Sequence, residues 1–264
     1  MRFLVSNDDG IFAPGIAALV AELAKYGEVY VAAPDHNCSA NSHHLTMHDP
    51  IPVQRMDFPG AACAWAVGGT PADCVHLGVS ALVPQPVDLV VAGINRGSNL
   101  ATDCLYSGTV AAALEGSLLG LPGLAVSLDS YEPDADYSYA ARVGAQVARF
   151  IVERGRAVVL NVNVPALPSR EILGMRLCAI DKHMKYAPDC YTVISGADET
   201  RQIWQFVPLD CDRGDPSADH AAVMAGYVSV TPLTAYWSDA ALLEELAPEL
   251  TDGALRLPDE EKGE

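Results

Sequence analysis

From residue 2 to about residue 165, short apolar runs alternate with longer segments whose apolar residues recur every three or four positions. Arg2–Ser6 is a run suited to a buried strand. Pro14–Tyr26 then places Ile16, Leu19, Val20 and Leu23 at i, i+3, i+4 and i+7, with proline near its start and Gly27 beyond its end, which predicts a helix. Glu28–Ala33 predicts the next strand and stops at Pro34. Gly69-Thr70-Pro71-Ala72-Asp73 opens a second helix, with Thr70 as N-cap, Pro71 in the first turn and Asp73 closing a capping box. Val87–Ala92 is a β-branched strand, and Ser107–Leu119 a helix ended by Gly120 and Pro122. Leu124–Leu128 is a further strand, Tyr137–Glu153 is helical by period, and Ala157–Val164 is a strand ending at Pro165.

Strands alternating with helices of this length imply βαβ units, and so a mainly parallel sheet covered on both faces. No Gly-x-Gly-x-x-Gly follows the first strand, so a dinucleotide fingerprint is missing. Beyond about Leu167 the alternation fails. Residues 168–235 mix turn residues with short β-like runs such as Gln202–Val207 and Tyr227–Thr231, followed by a short amphipathic helix over Asp239–Leu246. The expected organisation is one domain: an α/β core over 1–165 that carries the chemistry, and a β-rich extension with a C-terminal arm over 166–264 that serves assembly.

Charge narrows the partners. The 264 residues carry 34 acidic and 16 basic side chains, a formal charge of −18, which disfavours long nucleic acids and anionic membranes as partners. Nine acids and two bases fall in the last 26 residues, so much of that charge is local. The seven cysteines form no C-x-x-C pair, which removes support for zinc-ribbon and thioredoxin readings. No signal-peptide apolar region follows Met1, and no uninterrupted apolar run of ~18 residues occurs. The expectation is a cytoplasmic protein with reduced, buried thiols.

In open parallel sheets ligands bind beyond the carboxyl ends of the strands. Three such ends are polar here: Asn7-Asp8-Asp9-Gly10, Asp35-His36-Asn37-Cys38-Ser39, and Gly93-Ile94-Asn95-Arg96-Gly97-Ser98-Asn99. If those strands are neighbours, Asp8, Asp9, Ser39 and Asn95 converge. Two carboxylates, a hydroxyl and an amide carbonyl suit Mg²⁺ or Mn²⁺ with several waters retained. Asp-Asp-Gly is also an ordinary turn, and Asn caps helices. His36, His43, His44 and His48 raise a transition-metal alternative, although their spacing matches no helix-face pair. Ser107-Gly108-Thr109 opens a helix whose amides form a phosphate site, or simply a Ser cap.

These segments resemble the survival protein E (SurE) family of metal-dependent nucleotidases. The carrying residues are Ser6–Gly10, Ala33 through Ser39, Gly69–Val75, Gly93–Asn95, Tyr106–Val110, Leu160–Asn163 and Gly226–Leu233. The resemblance implies a Rossmann-like three-layer α/β/α core, with a β-hairpin and C-terminal arm exchanged between subunits of a homodimer or homotetramer. It implies one divalent ion per subunit, Mg²⁺ or Mn²⁺, on Asp8, Asp9, Ser39 and Asn95, and phosphate release from nucleoside 5′- or 3′-monophosphates. The phosphate falls to Asn95, Ser107, Gly108 and Thr109, and the catalytic roles to Asp8, Asp9 and Asn95. The chain departs from the family where members often have Arg before the liganding serine and Gly after it: here His36, Cys38 and Ala40 surround Ser39.

The alternatives are a metal- and nucleotide-binding regulatory module without turnover, and a short-chain polyphosphatase. A haloacid-dehalogenase-type phosphatase wants a second Asp two positions after Asp8, where Gly10 stands. A receiver-type signalling domain wants a phospho-accepting Asp where this chain has Asn95.

Overall fold

The computed structural model describes residues 1–182, 190–198, 201–207, 214–236, 238 and 240–251. Strand β1 (Arg2–Ser6) leads through a tight turn into α1 (Pro14–Leu23), and β2 (Glu28–Pro34) returns beside β1. A long loop then precedes an edge hairpin, β3 (Val53–Met56) and β4 (Cys63–Val67). Helix α2 (Pro71–Leu77), β5 (Leu89–Arg96), α3 (Gly108–Leu118), β6 (Gly123–Asp129), α4 (Ser138–Arg154) and β7 (Val159–Pro165) follow. The expected capping box is present at α2: the Thr70 hydroxyl accepts from the Asp73 N–H at 3.2 Å, and Asp73 Oδ2 accepts from the Thr70 N–H at 2.9 Å.

The chain continues into β8 (Met175–Leu177), a separate hairpin of β9 (Tyr191–Asp198) and β10 (Arg201–Phe206), α5 (Asp219–Met224) and β11 (Val228–Leu233). The main sheet runs β3-β4-β2-β1-β5-β6-β7-β11-β8. Its centre, β4 to β7, is parallel throughout. Strand β11 joins antiparallel to β7, and β8 lies parallel beside β11, so part of the stretch after residue 165 completes the main sheet.

Side-chain alternation on the strands builds two cores. Phe3 and Val5 pack with α1 and α4 on one face, while Leu4 packs with Cys74 and Val75 of α2 and Val110 and Ala113 of α3 on the other. This is the three-layer, Rossmann-like α/β/α architecture, with the carboxyl ends of β1, β2 and β5 adjacent because those strands are neighbours.

No disulfide joins the described cysteines, and all of them but the half-buried Cys63 are buried; Cys211 lies outside the described residues. No described helix is long and apolar enough to cross a membrane. Residues 234–264 form a second unit containing α6 (Ala240–Thr251), which runs five residues further than the helix expected over Asp239–Leu246; Asp239 lies outside the described residues.

Candidate active site

The β1–α1 turn exists because its polar residues are tied internally. Asn7 is fully buried and its Nδ2 donates to the Gly10 carbonyl at 2.8 Å. Gly10 takes φ +98°, a conformation that L side chains rarely hold, and a Cβ there would stand 3.1 Å from the His36 carbonyl oxygen. The turn therefore places Asp8 and Asp9 beyond the carboxyl end of β1, beside the loop that follows β2. The Cys38 N–H donates to the Asp8 carbonyl at 2.7 Å and fixes the start of that loop.

Asp8, Asp9, Ser39 and Asn95 all line one cleft of about 210 Å³, together with Ala40, Arg96, Ser98, Asn99, Asp103, Tyr106, Ser107 and Tyr131. The four residues read from three strand ends are thus brought together. Asn95 donates from Nδ2 to the Gly97 carbonyl at 2.8 Å, which fixes the amide orientation and leaves its Oδ1 as the acceptor to offer. Asp9 Oδ2 accepts from the Arg96 N–H at 2.9 Å.

Asp8 is gripped by Thr109 of α3. Its Oδ1 accepts from the Thr109 hydroxyl at 2.5 Å, and its Oδ2 from the Thr109 N–H at 3.1 Å. Here the structure departs from the sequence expectation. Gly108 and Thr109 do not line the cleft, and the anion at this helix N-terminus is the protein's own carboxylate. Gly108 is needed for that approach, because a Cβ there would stand 2.8 Å from Asp8 Cβ. Ser107 does reach the cleft while its Oγ caps α3 by accepting from the Val110 N–H at 3.1 Å. Ser98, Asn99, Asp103, Tyr106 and Tyr131 were not singled out by sequence reasoning. Ser98 and Asn99 were legible as part of the same polar strand end, whereas Tyr131 comes from a loop without such a signal.

The electrostatics suit a cation. Burial pushes the Asp8 carboxyl up to about 6, the Thr109 hydrogen bond opposes that shift, and the neighbouring Asp9 charge adds to it. Asp9 is also raised by burial, against the pull of the Arg96 N–H and guanidinium. Two crowded carboxylates with a hydroxyl and an amide oxygen form an all-oxygen donor set that fits a hard divalent ion. The histidines do not compose a rival centre: no group of three or more His, Cys, Asp or Glu placed to hold a metal occurs among the described residues. His36 Nδ1 instead meets Asp35 at 2.6 Å, and His43 Nε2 meets Glu115 at 2.8 Å. A larger cavity of about 460 Å³ opens beyond β6 and β7, lined by Glu132, Asp134, Asp136 and Arg142 among others, and it holds none of the four residues gathered in the smaller cleft.

Residues 3–187 match the family model described as survival protein SurE. The chain is 40% identical over 247 residues to a protein named 5′-nucleotidase SurE from Syntrophomonas wolfei, covering 93% of each. It is 46% identical over 239 residues to the protein of that name from Pseudomonas putida, covering 88% of this chain and 92% of the relative. The crystal structure of the SurE protein from Aquifex aeolicus superposes with a TM-score of 0.81 at 34% identity, over 94% of this chain and 98% of that one.

Proposed function

The chain belongs to the SurE family, and on that premise we propose that it is a 5′-nucleotidase that hydrolyses nucleoside 5′-monophosphates to nucleoside and phosphate. One divalent ion per subunit, Mg²⁺ or Mn²⁺, falls to Asp8, Asp9, Ser39 and Asn95. The observation that carries the reading is their convergence in one cleft, with both Asp8 oxygens fixed by Thr109. When bound, such an ion polarises phosphoryl oxygens and makes water a better nucleophile near neutral pH.

The chain's own residues do the rest. Thr109 sets the orientation of Asp8, and the Arg96 N–H that of Asp9, so that neither carboxylate reorganises during the reaction. One of these two carboxylates accepts the proton of the attacking water. Ser107, whose oxygen is engaged by Val110, keeps its hydroxyl proton for a phosphate oxygen. Arg96 on the cleft wall counters the acidic surface locally, as phosphoryl transfer requires.

Assembly belongs to the same reading. The described side chains at 191–195 and 201–206 of the β9–β10 hairpin are all exposed, and Tyr191, Val193, Ile194, Ile203, Trp204 and Phe206 make it strongly apolar. A lone two-stranded hairpin is marginal in water, which supports exchange of this arm between subunits of a homodimer or homotetramer. Phosphate release from AMP and GMP, each with EDTA and then with Mg²⁺, Mn²⁺ or Zn²⁺ restored, tests the activity. Release that stops in EDTA and returns with the metal is expected. No release from any nucleotide with any metal overturns it and favours a binding module, and release from tripolyphosphate alone favours a polyphosphatase.

A further inference from the structure

Outside the cleft, the only carboxylate among the described residues bridged by two imidazoles is Glu115, whose side chain is 4% exposed. Its Oε2 meets His43 Nε2 at 2.8 Å and its Oε1 meets His76 Nδ1 at 2.7 Å. The His43 bond holds the Glu115 carboxyl below the usual range, burial opposes it, and His76 adds to the lowering. The two imidazoles have different origins. His76 belongs to α2, while His43 lies four residues after Ser39 in the long loop that follows β2.

That loop is held in an unfavourable conformation. Ala40 takes φ 61° and Ser42 φ 54°, two non-glycine residues in the left-handed region within a few positions of Ser39. L residues keep such angles only where the surroundings impose them, at about 1 to 3 kcal/mol each. Thr46, His44 and Cys38 tie the loop to Asp73, Thr70 and Asp8, while the contacts at its strained residues lead to α3 or its entry. The Ser42 N–H donates to the Tyr106 carbonyl at 2.9 Å, its hydroxyl donates to the Leu105 carbonyl at 2.7 Å, and His43 reaches Glu115 two turns into the helix. The first turn of that helix grips Asp8 through Thr109.

Resting on the reading that Asp8, Asp9, Ser39 and Asn95 hold a cation, we propose that Glu115 and His43 are positioning residues for the Ser39 side of that site. Helix α3 then sets both walls: Thr109 fixes the carboxylate and Glu115, through His43, fixes the hydroxyl. Because His76 binds the same carboxylate without belonging to the loop, it separates positioning from mere packing of Glu115.

The test is the Mn²⁺ dissociation constant, read from the electron paramagnetic resonance signal of free Mn²⁺, with melting temperatures alongside. His43→Ala should weaken Mn²⁺ by about tenfold, as loss of a group orienting a ligand does, while His76→Ala stays within about twofold. His43→Gln, which keeps a side-chain donor, should recover most of the affinity. Unchanged affinity in His43→Ala, or equal weakening in His43→Ala and His76→Ala, overturns the proposal. Asp8→Ala guards the premise: Mn²⁺ binding as tight as wild type in that variant overturns the cation site itself and the positioning role with it.

Discussion

Asp8 and Asp73 each expose only 3% of their surface, but Asp8 is the more deeply set of the two, and their carboxyls lie on opposite sides of the ordinary range. Burial pushes both upward. Asp73 is nonetheless held low, because it accepts from the Thr46 hydroxyl at 2.7 Å and from the Thr46 and Thr70 N–H groups at 2.9 Å. Asp8 accepts two bonds from Thr109, faces the charge of Asp9, and rises to about 6. One carboxylate is satisfied by the fold and caps a helix. The other is left short of positive charge, and the fold bears a standing cost there that a bound cation removes. Glu115, between two histidines, belongs with Asp73.

The comparison can be broken most forcefully at Asp8. Asp8→Ala should lower metal-dependent phosphate release by about 10³-fold or more while its far-ultraviolet circular dichroism stays that of wild type. Near-normal turnover in excess Mn²⁺ would remove Asp8 from the chemistry. At Asp73 the consequence should be the reverse. Asp73→Ala removes the return bond of the α2 capping box and leaves the donors of Thr46 and the Thr70 N–H unpaired, a loss of about 2 to 3 kcal/mol in urea unfolding.

Acid should distinguish the two classes as well. Groups lowered on folding, Asp73 and Glu115, contribute stability that is present above their unfolded values near 4 and lost as pH falls through their folded ones. Asp8, raised from 3.8 to about 6, works oppositely: in metal-free protein its penalty is full above about 6 and vanishes below 3.8. The stability deficit of Asp73→Ala, followed by urea midpoints from pH 7 to 3, should therefore shrink toward the acid end. The smallest effect is expected at Ala40, where glycine relieves the left-handed strain: Ala40→Gly should change stability by under about 1 kcal/mol.

The parallel core and the convergence at the strand ends were legible because both follow from local signals. Apolar runs, the Thr70–Asp73 capping box and the polar residues after β1, β2 and β5 are contiguous in sequence. The sheet edges were not. Strand β4 is the short Cys63-Ala64-Trp65-Ala66-Val67 and its partner β3 is largely exposed, so neither shows a clean alternation. Strand β11 enters the sheet only through antiparallel pairing with β7, a contact that no local pattern encodes. The α3 N-terminus was readable as an anion site, but Thr109 meets Asp8 across 101 positions, and sequence alone does not show that the anion is internal. Similarly, the dense histidines suggested a metal, and their engagement by Asp35 and Glu115 appears only in three dimensions.

The most direct test of an under-compensated Asp8 is a pair of melting curves for wild type and Asp8→Asn, each in EDTA and in saturating Mn²⁺ at pH 7.5. Asn keeps an oxygen for the Thr109 N–H, and its amide can donate to the Thr109 hydroxyl. Removing the buried charge should raise the metal-free stability of Asp8→Asn by about 1 to 2 kcal/mol, while Mn²⁺ stabilises wild type and leaves the variant unchanged. A variant less stable than wild type in EDTA, or one that Mn²⁺ stabilises as strongly as wild type, would contradict the account.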